Sequence, residues 1–275
     1  MFALLRWIPK AHLSHLVGRL MHKRLPGPIG PWSVRRFAAK FRIDVDAASR
    51  PLETYATIGE FFTRDLKPGL RPIEGDFVSP VDALLRNFGT VENGRIEQIK
   101  GKDYSLRQFL GGDGIADSFD GGTYFNFYLS PRDYHHIHSP VSGSVVRSVV
   151  IPGWLWPVND WSMANIDELF AVNERVVTYL KGRFGLVAVV MVGATNVGRM
   201  TVTYDDFVTN SRPRSTAIRW MDYASPAKLR AGDRLGTFHM GSSVVVLVRK
   251  GIIPLDRVAV SAPSAVLYGR NLLGD

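Results

Sequence analysis

Five apolar runs rich in β-branched residues dominate the second half of this chain and constrain its fold more than anything else in it. They are SGSVVRSVVI (142–151), ERVVTYL (174–180), GLVAVVMVGA (185–194), RMTVTY (199–204) and SVVVLV (243–248). Valine, isoleucine and threonine suit a pleated, buried surface better than a helix. The runs VVTYL and LVAVVMV, separated by KGRFG, read as a hairpin. No helices alternate regularly with these runs, so a doubly wound parallel sheet is disfavoured. The expectation is an α+β fold with a mostly antiparallel β core and N-terminal amphipathic helices.

The first 75 residues have a different texture. From Lys10 onward Leu13, Leu16, Val17, Leu20 and Met21 recur at helical spacing, with Lys10, Arg19, Lys23 and Arg24 around them. That pattern fits an amphipathic helix, lying either in a membrane interface or against the body of the protein. No apolar run approaches the ~20 residues of a spanning helix, and no signal-peptide pattern is present. PGPIGP (26–31) is a breaker-rich link to WSVRRFAAKFRI. TIGEFFTRDL (57–66) reads as a short helix with Thr57 as N-cap and Glu60 closing a capping box.

Chemistry concentrates in YLSPRDYHHIHSP (128–140), which places His135, His136 and His138 within four positions between Pro131 and Pro140. Histidine exchanges protons near neutrality, and a loop leaving a strand is where catalytic groups collect. A surface cluster and a metal site are the competing readings. No carboxylate lies at zincin spacing, which disfavours metal. Asp82 in VSPVDALLRNFG (78–89) and the Gly241–Ser242–Ser243 step in LGTFHMGSSVVVLVRKG (235–251) supply an acid and a hydroxyl. Asp, His and Ser suggest an activated hydroxyl. A G-x-S-x-G elbow is absent, since Met240 stands two before Ser242, so an ordinary serine hydrolase is disfavoured.

Composition narrows the setting. The 275-residue chain has no cysteine, which excludes disulfides, thiolate metal sites and a cysteine nucleophile. Its net charge of +9 suits an anionic membrane surface, nucleic acid or merely a soluble basic enzyme. The aromatic interleaving and module signatures of a nucleic-acid reader are missing. There is no P-loop, dinucleotide fingerprint or fixed-period repeat.

Taken in order, SPVDA (79–83), IKGKDYSLRQFL (99–110), YLSPRDYHHIHSP, IPGWLWPVN (151–159), LFAVNERV (169–176), VGATNVG (192–198) and MGSS (240–243) resemble the phosphatidylserine decarboxylase family over roughly residues 55–250. The resemblance implies a self-processing proenzyme in which Asp82, His138 and Ser242 form the cleaving triad. Ser242 attacks the carbonyl of Gly241, and elimination leaves a chain of residues 1–241 and a chain of residues 242–275 that begins with a pyruvoyl group. That group forms a Schiff base with the serine headgroup of phosphatidylserine, carbon dioxide leaves, and phosphatidylethanolamine results. His135 is the expected proton donor; His136 reads as neighbouring surface with no role.

Residues 1–50 are the expected membrane-association segment and residues 51–275 the catalytic domain, with a peripheral place on the cytoplasmic side of the cell membrane, and the resemblance further implies a homodimer. A diacyl lipid substrate favours the membrane reading of the N-terminal helix. Trp154 and Trp156 either line lipid access or simply pack. Ala83, Ser243 and Met240 depart from the family's usual Gly, Thr and Leu without removing a reacting group. Another serine-headgroup lipid, such as an archaetidylserine, and a non-catalytic lipid-binding role are the alternative readings.

Overall fold

The computed structural model describes residues 21–99, 101–158, 160–194, 199–210, 215–239 and 243–274. Most of the expected N-terminal amphipathic helix and the Gly241–Ser242 step lie outside these residues. Helix α1 (Ile29–Phe41) and the short α2 (Ile58–Phe62) precede β1 (Ala83–Thr90), β2 (Arg95–Ile99) and β3 (Lys102–Ser105). Then come α3 (Leu106–Phe109), β4 (Thr123–Tyr128), β5 (His136–His138), β6 (Gly143–Ile151), α4 (Asp160–Asn165) and α5 (Leu169–Val172). The remainder is strand: β7 (Arg175–Gly182), β8 (Gly185–Val192), β9 (Met200–Val202), β10 (Arg219–Asp222), β11 (Lys228–Leu229), β12 (Arg234–Phe238), β13 (Ser243–Val248) and β14 (Ser264–Val266).

The architecture is the expected α+β, built on one large antiparallel sheet. Its strand order is β10-β6-β7-β8-β13-β4-β1-β14, with β11 also against β6. The hairpin read from VVTYL and LVAVVMV is β7–β8, closed by Arg183 and Phe184 between paired Gly182 and Gly185. Gly185 sits at φ +66, where a side chain would be strained. Strand β13 lies in the middle, paired residue for residue with β8 and with β4, and all six of its residues are buried. A fully buried central strand need not alternate in polarity, which is why SVVVLV is continuous.

A second, three-stranded sheet, β5-β12-β9, packs beside the first. Gly236 of β12 faces Met191 so closely that an added Cβ would stand 3.0 Å from its sulfur. A smaller core gathers Val34 and Ala38 of α1 with Ile43, Tyr55 and Phe61. The cap of α2 is nearly as read: the Thr57 side chain accepts from the Glu60 amide at 3.1 Å, while the Glu60 carboxylate accepts from Ala56 N rather than from Thr57. Trp154 is 60% exposed, whereas Trp156 packs against the main core. Among the described residues, no helix is long and apolar enough to cross a membrane.

Candidate active site

The histidine segment is not the plain loop its prolines suggest. Strand β4 ends at Tyr128, a tight turn follows, and two of the three histidines lie in β5. Pairing with β12 sets Thr237 opposite His136 and Arg234 opposite His138. The turn is fastened by Asp133, whose carboxylate accepts from Ser130 N at 2.7 Å and from Ser130 Oγ at 2.8 Å. Burial raises the pKa of this carboxyl.

His135 is completely buried. Its Nδ1 is 2.8 Å from the Asp133 carbonyl oxygen, so Nδ1 carries the proton and donates. Nε2 is then a bare lone pair, and it has no partner among the described residues. The ring lies on Phe62 of α2, centroids 3.9 Å apart. Burial pushes its pKa down to about 3, with Arg64 and His136 adding to the effect. His135 is therefore neutral at physiological pH.

His138 is held on every side. Its Nδ1 donates to the Gly232 carbonyl at 2.7 Å, and its Nε2 accepts from the Tyr134 hydroxyl at 3.2 Å. The Tyr268 ring stacks flat on it, 3.9 Å between centroids and 6° between planes. Burial lowers its pKa to about 4, against the opposing charges of Asp82 and Asp233. The result is a neutral imidazole with its basic nitrogen facing a hydroxyl, a group suited to general-base work.

Asp82 and His138 come together, but not through a direct hydrogen bond. The Asp82 carboxylate accepts from Arg71 Nε at 3.1 and 3.2 Å, from Arg71 Nη2 at 2.8 Å and from Tyr268 N at 2.8 Å. Tyr268 thus holds the acid with its backbone and the histidine with its ring. The segment before Asp82 is tied in as well, since His138 N donates to the Pro80 carbonyl at 2.8 Å.

His136 departs from the surface position read from sequence: it is 5% exposed. Its Nε2 donates to the Thr63 carbonyl at 3.0 Å and its Nδ1 accepts from Thr237 Oγ1 at 2.7 Å, pinning β5 between α2 and β12. Burial beside Arg234 brings its pKa to about 4. Alternation had no chance to reveal this, because both faces of β5 are covered.

The Gly241–Ser242 step lies outside the described residues, and the described residues on either side of it are His239 and Ser243. His239 Nε2 is 3.2 Å from Thr201 Oγ1, and burial with nearby Arg199 and His22 lowers its pKa to about 4. Ser243 is fully buried, opposite Tyr128 and Val192, and its Oγ has no partner among the described residues. Phe238 N donates to the His135 carbonyl at 3.0 Å, linking the strand that leads to Gly241–Ser242 with the histidine cluster. Arg71 and Tyr268 carry no sequence motif that marks them, and only the fold brings them to the acid and the histidine, whereas Tyr134 stands within the histidine segment itself.

The phosphatidylserine decarboxylase family matches this chain over residues 58–274. The phosphatidylserine decarboxylase proenzyme of Anaeromyxobacter sp. (strain K) is 44% identical over 255 residues, covering 92% of this chain and 90% of that protein. That of Myxococcus xanthus (strain DK1622) is 41% identical over 247 residues, 89% and 87% of the two chains. A Vibrio cholerae proenzyme of the same name is 39% identical over 268 residues, 94% and 93% of the two chains.

Proposed function

The chain belongs to the phosphatidylserine decarboxylase family, and from that premise we propose that it is a proenzyme that cleaves itself after Gly241 and then converts phosphatidylserine to phosphatidylethanolamine and carbon dioxide. The observation that carries this reading is the pair of buried, neutral histidines beside β12, the strand that leads to Gly241–Ser242: His138 in β5, which pairs with β12, and His135, whose carbonyl accepts from Phe238 N.

In the first reaction His138 takes the Ser242 hydroxyl proton, and the oxygen attacks the Gly241 carbonyl carbon, exchanging peptide for ester. Elimination across residue 242 releases the chain ending at Gly241, and hydrolysis with loss of ammonia leaves a pyruvoyl terminus. Asp82 assists through its charge: it favours proton uptake by His138 and is aligned by Arg71 and Tyr268. Tyr134, hydrogen-bonded to His138 Nε2, stands where it can relay that proton.

The residues present fit a small carbonyl group, because Ser243 Oγ is a buried hydroxyl without a partner among the described residues and can donate to a carbonyl oxygen. When formed, the pyruvoyl group supplies the electron sink that decarboxylation needs. The part played by His135 follows from its tautomer. Its bare Nε2 is where a proton would be held for return to the carbon that has lost carbon dioxide. Phe62 and the buried turn keep water from that nitrogen.

Residues 1–50 are the membrane-association segment in this reading, with residues 51–275 catalytic and the protein held peripherally at the cytoplasmic face of the membrane. The exposed Ile29 and Trp32 on α1, beside Arg35, Arg36 and Lys40, support it.

Intact mass spectrometry tests the scheme. The wild type should give two chains split after Gly241, the smaller one lighter by ammonia than a peptide beginning with Ser242. Ser242→Ala and His138→Ala should remain single chains. His135→Ala should cleave yet decarboxylate about 100- to 10,000-fold more slowly. A wild type that never cleaves would overturn the proposal.

A further inference from the structure

Next to the histidine cluster lies a cavity of about 390 Å³ whose wall includes Arg42, Arg64, Arg71, Arg132, Asp82 and Tyr128. Arg64 is the unusual member, at only 4% exposed. Its Nη2 donates to the carbonyls of Arg132 at 3.0 Å and Asp133 at 3.5 Å. Its Nε and Nη1 have no acceptor among the described residues. Leaving guanidinium donors buried and unmet is costly, and a planar fork of N–H groups matches an oxyanion. Arg42 reaches the same cavity with no side-chain partner among the described residues.

The acids on the wall are already engaged. Asp82 is taken by Arg71. Asp44 accepts from the amides of Asp46 and Ala47 at 3.1 and 3.3 Å. Asp133 is spent on Ser130 and its pKa is raised by burial. The four arginines of the wall, Arg42, Arg64, Arg71 and Arg132, outnumber its three acids, Asp44, Asp82 and Asp133, so the net charge facing the cavity is positive.

We propose that this cavity is a phosphodiester subsite, in which Arg64, assisted by Arg42, binds the headgroup phosphate of a serine phospholipid. The inference rests on the decarboxylase reading and adds the recognition element to it. Position supports it: Tyr128 on the wall pairs with Ser243, and Tyr134, also on the wall, bonds His138. The phosphate of the substrate is only a few bonds from the amine that reacts. The carboxylate is the poorer choice of anion. A guanidinium on it would stabilise a charge that disperses in the transition state, binding the ground state at the expense of the rate.

The test uses processed wild type, Arg64→Gln, Arg64→Lys and Arg42→Gln, the last at an exposed residue whose loss leaves the fold intact. Glycerophosphoglycerol, a soluble phosphodiester without an amine, is titrated calorimetrically, with inorganic phosphate as a second probe. Turnover is followed on phosphatidylserine and on an O-alkylserine that keeps the amine and carboxylate but lacks the phosphodiester. The expected result is glycerophosphoglycerol binding weakened about 10- to 100-fold by Arg64→Gln and less by Arg42→Gln. KM for phosphatidylserine rises in step, Arg64→Lys recovers part of the loss, and the O-alkylserine is spared. Equal losses on both substrates would make Arg64 a prop for the Asp133 turn and overturn the subsite. Binding of inorganic phosphate alone, with KM for phosphatidylserine unmoved in the variants, would overturn it as well. Should the wild type bind glycerophosphoglycerol through Arg64 yet decarboxylate neither substrate, the activity reading fails and the subsite stands.

Discussion

Four histidines of this protein, His135, His136, His138 and His239, are set up by burial rather than by charged partners. His135 is pushed down to about 3, and His136, His138 and His239 to about 4, with loss of hydration as the largest cause in each. The sign of the consequence follows directly. The unfolded chain takes up protons as pH falls below the ordinary histidine value of about 6.5, while the folded chain refuses them until pH 3–4. Stability is therefore full above about pH 6.5 and is lost as pH falls from there toward 4. Each histidine contributes a slope of up to about 1.4 kcal/mol per pH unit. Urea midpoints measured between pH 7 and pH 5 should fall steeply, and His135→Gln should flatten the fall by about one histidine's share. A flat profile would mean that the imidazoles are charged in the folded state and that the base assigned to His138 is wrong.

At the scale of the element, what the sequence makes legible is what is local. The β7–β8 hairpin, the Thr57 cap and the strand SVVVLV are each written in adjacent residues, so pattern alone finds them. The candidate site is legible only in its reacting groups. Asp82 and the histidines stand out as residue types in breaker-bounded segments, but Tyr268 is joined to them by a fold that brings far-downstream backbone onto the acid. The burial of His136 is illegible for the same reason, because its cover comes from Thr63 of the α2 segment and from β12. Helix α2 makes the point testable. Phe62 is 1% exposed and carries the His135 ring, so it links a five-residue helix to the proposed proton shuttle. Phe62→Ala should lower unfolding free energy by about 3–5 kcal/mol. It should also slow decarboxylation while self-cleavage, proposed to depend on His138 and its own contacts, continues. Parallel loss of both reactions would show that α2 supports the whole site and not His135 in particular.

Across the whole molecule, the proposed cut divides the main sheet without opening it. Residues 243–274 supply the central strand β13 and the edge strand β14, which enclose β4 and β1 of the larger chain in the order β13-β4-β1-β14. The break precedes Ser243, so every ladder bond of β13 to β8 and β4 survives it. Burying the apolar side chains of Val244 to Val248, all at 0% exposure, is worth roughly 1.5–3 kcal/mol each. The small chain should therefore stay bound through gel filtration at micromolar concentration. Unfolding, however, now separates two molecules where the uncleaved protein gives one. Mass action then makes the urea midpoint of processed protein rise with protein concentration, while that of Ser242→Ala stays fixed. A concentration-independent midpoint for both forms would show that the small chain remains attached or structured on the large one after the sheet has opened. Dissociation of the small chain on simple dilution would mean instead that β13 is held far less firmly than its burial implies.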